Sequence, residues 1–386
     1  MIHLLLNAEL YDPEPRGRTH LLVAGETIVW TGTDAPALPR GLNAREHDLG
    51  GRRVIPGLID GHVHLTGGGG EAGPHTRVPP LALSRLTAGG VTTAIGVLGT
   101  DDLVRSPAEL VTVARGLVQE GLSAWCHTGG YHVPPATVTG SVRGDLVLVD
   151  LILGVGELAI SDHRSSQPTL DELLRVAGDA HVGGLMAGKA GIVHLHLGDG
   201  ARGLGLVREA LERSEIPAAV FNPTHVNRRK RLFDEALALA ERGCTVDITA
   251  FPVAPGEDAW SAAAALTRYL DAALPPERVT VSSDGGGCLP VFDGDGRVVE
   301  MDVGRPAACA DTLHELLAAG QPLERVLPAF TRNVARLLQL PRKGQLEAGA
   351  DADLVVLDDA GGVADVMARG RWHVREGRAV VRGTFE

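Results

Sequence analysis

The middle of the chain alternates short apolar runs with stretches in which apolar side chains recur at helical spacing. Segments such as LDELLRVAGDA and RLFDEALALAERG place apolar residues at i, i+3 and i+4 between the runs. A strand–helix alternation repeated eight times predicts parallel βαβ units that close into a (β/α)8 TIM barrel. The predicted strands are Val54–Leu65, Val91–Thr100, Ser123–Tyr131, Leu151–Ser161, Gly191–Gly198, Ala218–Val226, Cys244–Ala250 and Val279–Gly285.

Both ends of the chain have a different pattern, with short β-type pieces punctuated by Gly, Pro and Asp. Examples are HLLLNAEL and ETIVWTG near the start, and DADLVVLD and RAVVRGTFE near the end. The two ends are predicted to pair into one small β-sandwich domain, residues 1–54 plus 339–386, beside an α/β barrel at 55–338. An open doubly wound sheet is the rival fold, but no GxGxxG loop follows the first strand.

Composition narrows the function classes. The chain of 386 residues is long enough for a barrel of roughly 250 residues and a smaller domain. Its formal net charge of −12 argues against a nucleic-acid partner, which requires a clustered basic surface. Its N-terminus lacks a basic region before an apolar run, and no apolar stretch reaches the roughly 18 residues of a membrane span. A soluble, cytoplasmic protein without a membrane partner is therefore expected.

Metal-ligand residue types stand at the ends of five predicted strands. In barrels of this kind the active site lies at the C-terminal ends of the strands. Alternate residues of a strand point to the same face, so His62 and His64 at the end of the first run can grip one ion. The other candidates are Glu157 on the fourth run, His196 on the fifth, His225 on the sixth and Asp284 on the eighth.

This ligand set predicts two divalent metal ions. Nitrogen and carboxylate ligands suit Zn²⁺, with Co²⁺, Mn²⁺ and Ni²⁺ as alternatives. Six ligands are too many for one tetrahedral zinc, whereas two ions that share a bridging carboxylate and a bridging hydroxide would use all six. A lone histidine at a strand end is more often structural than a ligand. His127 and His194 are accordingly interpreted as structural residues or as hydrogen-bond partners of a ligand.

Several longer motifs resemble known families. VIPGLIDGHVH resembles the first-strand signature of the amidohydrolase superfamily, and GADADLVV resembles its return into a small β domain. A further series resembles the isoaspartyl dipeptidases almost from end to end, in order and spacing: HVHLTGGGGEAGP, GVLGTD, YHVPP, VTGSV, AISDHRS, HLGDG, PTHVNR and SSDGGG. This resemblance implies a homo-oligomer that hydrolyses β-aspartyl dipeptides, in which an amide joins the aspartate side chain to the next residue.

The resemblance also implies roles for individual residues. It makes His62, His64, His196 and His225 metal ligands. It makes Asp284 a ligand that also carries a proton from a metal-bridging hydroxide to the leaving amine. Substrate contacts are implied for Glu71, Thr100, Tyr131, Arg164 and Arg228.

The chemistry of a β-aspartyl dipeptide agrees with those roles, because this substrate carries one free amine and two carboxylates. Glu71 can hold the ammonium group, and Arg164 and Arg228 can each hold a carboxylate by a two-point fork. Tyr131 can donate a hydrogen bond to the developing oxyanion. Glu71 and Tyr131 therefore join Asp284 as predicted catalytic residues.

The fourth strand departs from the family pattern. Most members carry a carboxylated lysine there that bridges the metals, but residues 154–160 read GVGELAI. The chain has only Lys189, Lys230 and Lys343, none of them at a suitable strand end. Glu157 is the predicted substitute, pushed inward by a bulge at Gly156, because the segment holds one residue more than the family pattern. The alternative is a single-metal or weakened site in which Glu157 has no bridging role.

Two further positions bear on the substrate. Cys288 stands where the family usually has a serine near a substrate carboxylate, and a thiol donates a weaker hydrogen bond. The four glycines at 67–70, between His64 and Glu71, predict either a mobile loop that closes on the substrate or a simple flexible turn.

Other functions remain open. One is a different amidohydrolase, acting on a cyclic amide or an N-acyl amino acid, although the charged set at the predicted site suits a zwitterion better. Another is a scaffold that has lost its metals, against which stand the four histidines and Asp284.

Overall fold

The computed structural model describes residues 1–39, 41–292 and 298–386. The strands are β1 (Ile2–Asp12), β2 (Glu14–Ala24), β3 (Thr27–Gly32), β4 (Arg45–Asp48), β5 (Arg53–Pro56), β6 (Leu58–Val63), β7 (Val91–Gly96), β8 (Ser123–Thr128), β9 (Ile152–Ser161), β10 (Ile192–Leu197), β11 (Phe221–Thr224), β12 (Val246–Thr249), β13 (Val279–Ser282), β14 (Cys288–Phe292), β15 (Val298–Val303), β16 (Leu354–Leu357), β17 (Val363–Ala368), β18 (Arg371–Arg375) and β19 (Arg378–Ala379).

The α-helices are α1 (Leu83–Thr87), α2 (Pro107–Glu120), α3 (Val142–Leu148), α4 (Leu170–Ala187), α5 (Gly205–Arg213), α6 (Lys230–Glu241), α7 (Ala262–Asp271), α8 (Ala308–Ala318), α9 (Leu323–Val326) and α10 (Arg332–Leu337). Short 3₁₀ turns occupy Pro74–Thr76, Ala218–Val220, Val226–Arg228, Pro276–Arg278 and Leu327–Phe330. Among the described residues, none of the helices combines the length and the apolar character that crossing a bilayer requires.

A curled parallel sheet forms the centre of the larger part of the molecule. Strands β6 to β11 pair in sequence order, and β12 pairs in parallel with β13. Val63 at the end of β6 bridges Gly285 in parallel, so the first strand of the curl meets the segment after β13. Apolar faces of the intervening helices, for example Leu110 of α2 and Phe233 of α6, join the strands in one buried core. The result is the TIM-barrel-like domain that the alternation predicts.

A second apolar cluster lies near the starts of three barrel strands. Ile59, Leu153 and Ile192 pack there against Val334 of α10 and Leu338, which follows that helix. These strand residues precede His62, Glu157 and His196 by three or four positions along β6, β9 and β10. Each of these strands therefore runs from an apolar cluster to a candidate site residue.

The two chain ends share one sheet, as predicted. Its strand order is β19-β18-β17-β16-β5-β1-β2-β3, with β4 paired to β1. The contact between the ends is the antiparallel pair β5–β16, in which Ile55 lies opposite Val355. Val54 and Val356, the next pair along these strands, share a buried cluster with Leu5, Leu21 and Leu354. Because β5 runs past residue 54, the sheet extends beyond the boundary that the sequence predicts between residues 54 and 55. The division of the chain into two domains stays a prediction.

The first predicted strand is in fact two strands, which is a correction to the sequence interpretation. Residues 53–56 belong to the terminal sheet and residues 58–63 to the curled sheet, with Gly57 between them. The amide of Gly57 donates to Asp353 O at 2.9 Å, and a Cβ at Gly57 would lie 2.1 Å from Thr92 Oγ1. The apolar pattern does not separate the two strands because both are buried. The β14–β15 hairpin after Asp284 was likewise not predicted.

Candidate metal centre and substrate cavity

Four histidines meet where parallel strands end. His62 lies near the end of β6 and His64 follows that strand, His196 lies near the end of β10, and His225 follows β11. All four side chains are buried. The ring centroid of His225 lies 5.0 Å from that of His62 and 4.8 Å from that of His196. The strand ends therefore gather the sequence-predicted histidines into one cluster.

The carboxylate of Glu157 lies between two pairs of these histidines. Its Oε1 is 3.6 Å from His62 Nε2 and 3.4 Å from His64 Nε2. Its Oε2 is 2.9 Å from His196 Nδ1 and 3.3 Å from His225 Nε2. Burial opposes the ionisation of Glu157, but the surrounding imidazoles outweigh it and hold the pKa of this carboxyl well below its usual value. Each oxygen of the carboxylate thus faces its own histidine pair.

Glu157 reaches this position through an irregularity in the pairing of β9 with β10. Val193 lies opposite Val155, but Leu195, two residues later, lies opposite Leu158, three residues later. The extra residue of β9 is accommodated between these pairs, next to Glu157. This confirms the predicted bulge and the inward direction of the Glu157 side chain.

Glycine is required immediately before Glu157. Gly156 has a φ of 150°, in a region that residues with a side chain rarely adopt. A Cβ at this position would lie 2.5 Å from His194 O on the neighbouring strand. The close approach of the two backbones at Gly156 therefore fixes the path of β9 at the site.

Asp284 approaches the cluster from the segment after β13. Its Oδ1 lies 3.2 Å from His64 Nε2 and 3.5 Å from His62 Nε2. Burial opposes its ionisation, but the contact with His64 and the nearby imidazoles keep the pKa of Asp284 below its usual value. Asp284 has a φ of 53°, a left-handed conformation that aspartate adopts more readily than most residues with a side chain. The backbone turn here aims the carboxylate at the His62–His64 pair.

Buried polar atoms in this cluster lack hydrogen-bond partners within the described part of the chain. They are His62 Nε2, His64 Nδ1 and Asp284 Oδ1. Ligand atoms of His62, His64 and Asp284 lie within 4.8 Å of one another, and so do those of His62, Glu157 and His225. An unpartnered buried polar atom is costly, and a bound cation would satisfy His62 Nε2 and Asp284 Oδ1, which lie 3.5 Å apart. The residues therefore fit a divalent metal site.

Sequence analysis missed one residue of this centre, Asp162. It follows the last residue of β9, and its Oδ2 lies 3.0 Å from His196 Nε2. The same carboxylate accepts from Arg164 Nη2 at 2.7 Å and from Arg164 Nε at 3.0 Å. A carboxylate behind a ligating histidine fixes the ring and its tautomer. The position directly after a predicted barrel strand was the available signal.

Glu71, Thr100 and Arg164 meet at one wall of the site. Thr100 Oγ1 donates to Glu71 Oε1 at 3.1 Å, and Arg164 Nη1 donates to the same oxygen at 3.3 Å. Glu71 Oε2 is buried without a hydrogen-bond partner among the described residues. One edge of the Arg164 guanidinium, formed by Nε and Nη2, is held by Asp162. Glu71 and Arg164, the residues predicted to bind a substrate ammonium group and a substrate carboxylate, therefore lie next to each other.

Tyr131 lies against the His196 ring. Its Oη is 2.9 Å from His196 Nδ1, and the ring centroids are 4.4 Å apart. Burial, together with nearby carboxylates, raises the pKa of Tyr131 well above its usual value. The phenol therefore keeps its proton and is available as a hydrogen-bond donor.

These side chains surround a cavity of about 600 Å³. Of the sequence-predicted site residues, His62 is absent from the described wall because its ring is fully buried behind it. Burial raises the pKa of the Cys288 thiol to about 12, which leaves it protonated and a poor nucleophile. The others line the wall: His64, Glu71, Thr100, Tyr131, Glu157, Arg164, His196, His225, Arg228, Asp284 and Cys288.

The glycine-rich segment is held by hydrogen bonds. Gly67 N donates to His64 O and Gly68 N donates to Gly286 O, both at 2.8 Å. The buried guanidinium of Arg105 donates to the carbonyl oxygens of Gly67, Gly68 and Val78. A Cβ at Gly67 would lie 2.0 Å from Val78 O. Close backbone packing therefore explains why glycine occurs at these positions, and the predicted mobility is not needed to explain it.

Comparison with known proteins identifies the relationship. Residues 187–373 match the model of the amidohydrolase family. A solved structure of the β-aspartyl dipeptidase from Fervidobacterium islandicum AW-1, in complex with the β-Asp-Leu dipeptide, is 40% identical. The alignment covers 98% of this chain and 97% of that chain, with a TM-score of 0.93. The chain belongs to the β-aspartyl dipeptidase family of amidohydrolases.

A further solved structure agrees with this membership of the β-aspartyl dipeptidase family, and a curated relative from another group of enzymes matches over part of the chain. A second structure of the Fervidobacterium islandicum AW-1 enzyme is 39% identical, covers 98% of both chains and has a TM-score of 0.89. The imidazolonepropionase of Pseudomonas aeruginosa is 34% identical over 128 residues. That match covers 32% of this chain and only 31% of the relative. The relationship to the β-aspartyl dipeptidases therefore extends over the whole fold, whereas the curated relative matches in one part.

The lysines of this β-aspartyl dipeptidase family member lie away from the histidine cluster, as predicted. Lys189 Nζ donates to Leu146 O at 2.8 Å and to Val149 O at 2.7 Å, just before β10 begins. Lys230 lies over the Trp260 ring, and Lys343 pairs with Asp351 and Asp353. The carboxylate at the centre of the site is therefore supplied by Glu157.

Proposed function

We propose that this protein is a metal-dependent hydrolase of β-aspartyl dipeptides that uses two divalent ions. The observation that carries the proposal is the Glu157 carboxylate, each oxygen of which faces its own histidine pair, at the wall of a cavity that also presents Glu71 and Arg164. The Fervidobacterium islandicum enzyme, with its β-Asp-Leu complex, supports the same substrate class. The nitrogen-rich ligand set favours Zn²⁺.

The chain offers two sets of ligands. His62, His64 and Asp284 lie on the Oε1 side of Glu157, and His196 and His225 lie on its Oε2 side. Two ions held there would polarise the scissile carbonyl group and lower the pKa of an attacking water. The carboxylate of Glu157 would serve both sets, in place of the carboxylated lysine typical of the family.

The other side chains bind and orient the substrate. Glu71, with one unpartnered buried oxygen, holds the ammonium group, and Arg164 and Arg228 hold the two carboxylates. Thr100 fixes Glu71 through its hydroxyl group. Tyr131 donates a hydrogen bond to the carbonyl oxygen as negative charge develops on it. Cys288, a protonated thiol in the wall, contacts a substrate carboxylate only weakly.

Asp284 is the proton carrier of the proposed reaction. Water adds to the carbon of the β-aspartyl amide, and Asp284 accepts the proton that this water releases. The carbon–nitrogen bond then breaks, and Asp284 delivers the proton to the departing nitrogen, so that free aspartate and an amino acid are formed. Its position against the His62–His64 pair and in the cavity wall suits both transfers.

The proposal extends to the whole protein. We infer a closed (β/α)8 barrel and a β-sandwich that follow the predicted division, 55–338 against 1–54 plus 339–386, except that β5 extends the sandwich to Pro56. We also propose that the protein is a cytoplasmic homo-oligomer that binds neither nucleic acid nor membranes.

The test is hydrolysis of β-Asp-Leu by the zinc-loaded protein, with α-Asp-Leu as the matched control and bound zinc measured in the same sample. Cleavage of the β isomer alone, with about two zinc ions per chain, is the expected result. Cyclic amides and N-acyl amino acids form the second arm. Cleavage of these compounds in place of β-Asp-Leu would show that the site acts on the alternative substrate class. A protein that binds no zinc would contradict the proposal altogether.

A further inference from the structure

A chain of buried hydrogen bonds leads from His62 away from the cavity. His62 Nδ1 lies 2.8 Å from His194 Nε2, and His194 Nδ1 lies 2.6 Å from Asn222 Oδ1. Asn222 Nδ2 donates to Thr245 O at 2.7 Å. All four residues are buried, so each hydrogen bond forms in a region where an unpaired polar atom is costly.

The direction of this chain follows from its last member. A backbone carbonyl only accepts, so Asn222 must turn its amide nitrogen toward Thr245 and its oxygen toward His194. His194 then donates through Nδ1, and in its neutral form it has a lone pair at Nε2. That lone pair accepts the proton on His62 Nδ1. The lone pair of His62 is consequently at Nε2, the unpartnered atom that faces Glu157 and Asp284.

We propose that His194 and Asn222 are positioning residues that fix the tautomer and ring orientation of the metal ligand His62. The inference rests on the proposed two-metal function. It assigns these residues to one ion only, the ion between His62, His64 and Asp284. His127, whose ring stacks on His194 at 5.4 Å between centroids, is not a member of the hydrogen-bonded series His62–His194–Asn222–Thr245.

The other ion has separate supports. His196 Nε2 meets Asp162 at 3.0 Å, and His225 Nδ1 meets Thr249 Oγ1 at 2.7 Å. Neither Asp162 nor Thr249 belongs to the series of hydrogen bonds that ends at Thr245. Loss of the His194–Asn222 hydrogen bond should therefore weaken the binding of one ion and leave the binding of the other unchanged.

The experiment is competition of the purified protein with a chelator for Zn²⁺, which resolves the two binding steps. Asn222→Leu removes the acceptor for His194 at similar volume. We expect one of the two zinc ions to bind about 10–100-fold more weakly, as is typical when the hydrogen-bond partner of a ligating histidine is lost, while the other is unchanged.

A second variant covers the case in which Asn222→Leu does not fold. His194→Phe keeps an aromatic ring against His127 but offers no lone pair to His62, and should weaken the same single ion. The matched control is His127→Phe, which should retain both ions at full affinity. Equal weakening of both ions, unchanged binding in both test variants, or the same loss in His127→Phe would overturn the inference. A wild-type protein without two zinc ions would instead contradict the proposed function itself.

Discussion

At the scale of single residues, the site is a set of histidines. The hydrogen-bond partners of each ring determine which of its nitrogens keeps an available lone pair. His196 illustrates this, because Asp162 lies at one ring nitrogen and Glu157 at the other. His62 has an equivalent support in His194. The proposed metal ligands are therefore only part of the centre, and the partners behind them determine where their lone pairs point.

Asp162→Asn should reduce zinc affinity by about 10-fold on the Oε2 side of Glu157, because an amide holds the His196 ring less firmly than a carboxylate does. The KM for β-Asp-Leu should also rise, since Arg164 loses the charged partner that fixes its guanidinium. Chelator competition and steady-state kinetics measure the two effects. Asp199→Asn, at a half-exposed carboxylate in the cavity wall, is the control and should leave zinc affinity unchanged. Equal zinc affinity in both variants would remove Asp162 from the centre.

A glutamate at position 157 removes the need for carbon dioxide, which a lysine requires to become a carboxylate. Apoprotein reconstituted with zinc in carbon dioxide-free buffer should reach the same activity as with added bicarbonate. Glu157→Gln should lose more than the roughly 10–100-fold in zinc affinity expected for loss of an outer partner, because it removes a charged ligand. A rise of wild-type activity on addition of bicarbonate would show that another group supplies the bridge.

At the scale of elements, the bulge of β9 decides whether Glu157 reaches the metals. The pairing of β9 with β10 is continuous up to Val155 and resumes at Leu158, so the two residues between them determine the direction of one side chain. A strand without the extra residue would alternate regularly and give Glu157 a different face. The shape of this element therefore makes up for a side chain shorter than a carboxylated lysine.

Gly156→Ala should destabilise the protein by about 1–3 kcal/mol, the usual cost of a residue with a side chain in a sparsely populated conformation. It should also weaken zinc binding, because relief of the contact with His194 O moves the backbone next to Glu157. Gly178→Ala is the matched control, since Gly178 lies in α4 with open space around it, and a gain of roughly 0.5–1 kcal/mol is expected there. Thermal unfolding and chelator competition report both quantities, and a Gly156→Ala variant as stable and as metal-competent as wild type would refute the role of the bulge.

At the scale of the whole molecule, the alternation of apolar runs and amphipathic stretches predicted the TIM-barrel-like domain and the pairing of the chain ends. It predicted the clustering of the four histidines, Glu157 and Asp284 as well, because residues at the ends of parallel strands converge. Periodicity could not locate the division at Gly57, since the strands on both sides are buried. It could not find Asp162 or the His62–His194 contact, because both depend on side-chain approaches between separate strands.

The central claim is that Glu157 bridges two metal ions, and anomalous X-ray diffraction at the zinc edge from crystals of the zinc-loaded protein tests it most directly. The account predicts two zinc peaks on opposite sides of the Glu157 carboxylate, one beside His62 and His64 and the other beside His196 and His225. A single peak, or two peaks of which Glu157 contacts only one or neither, would contradict it.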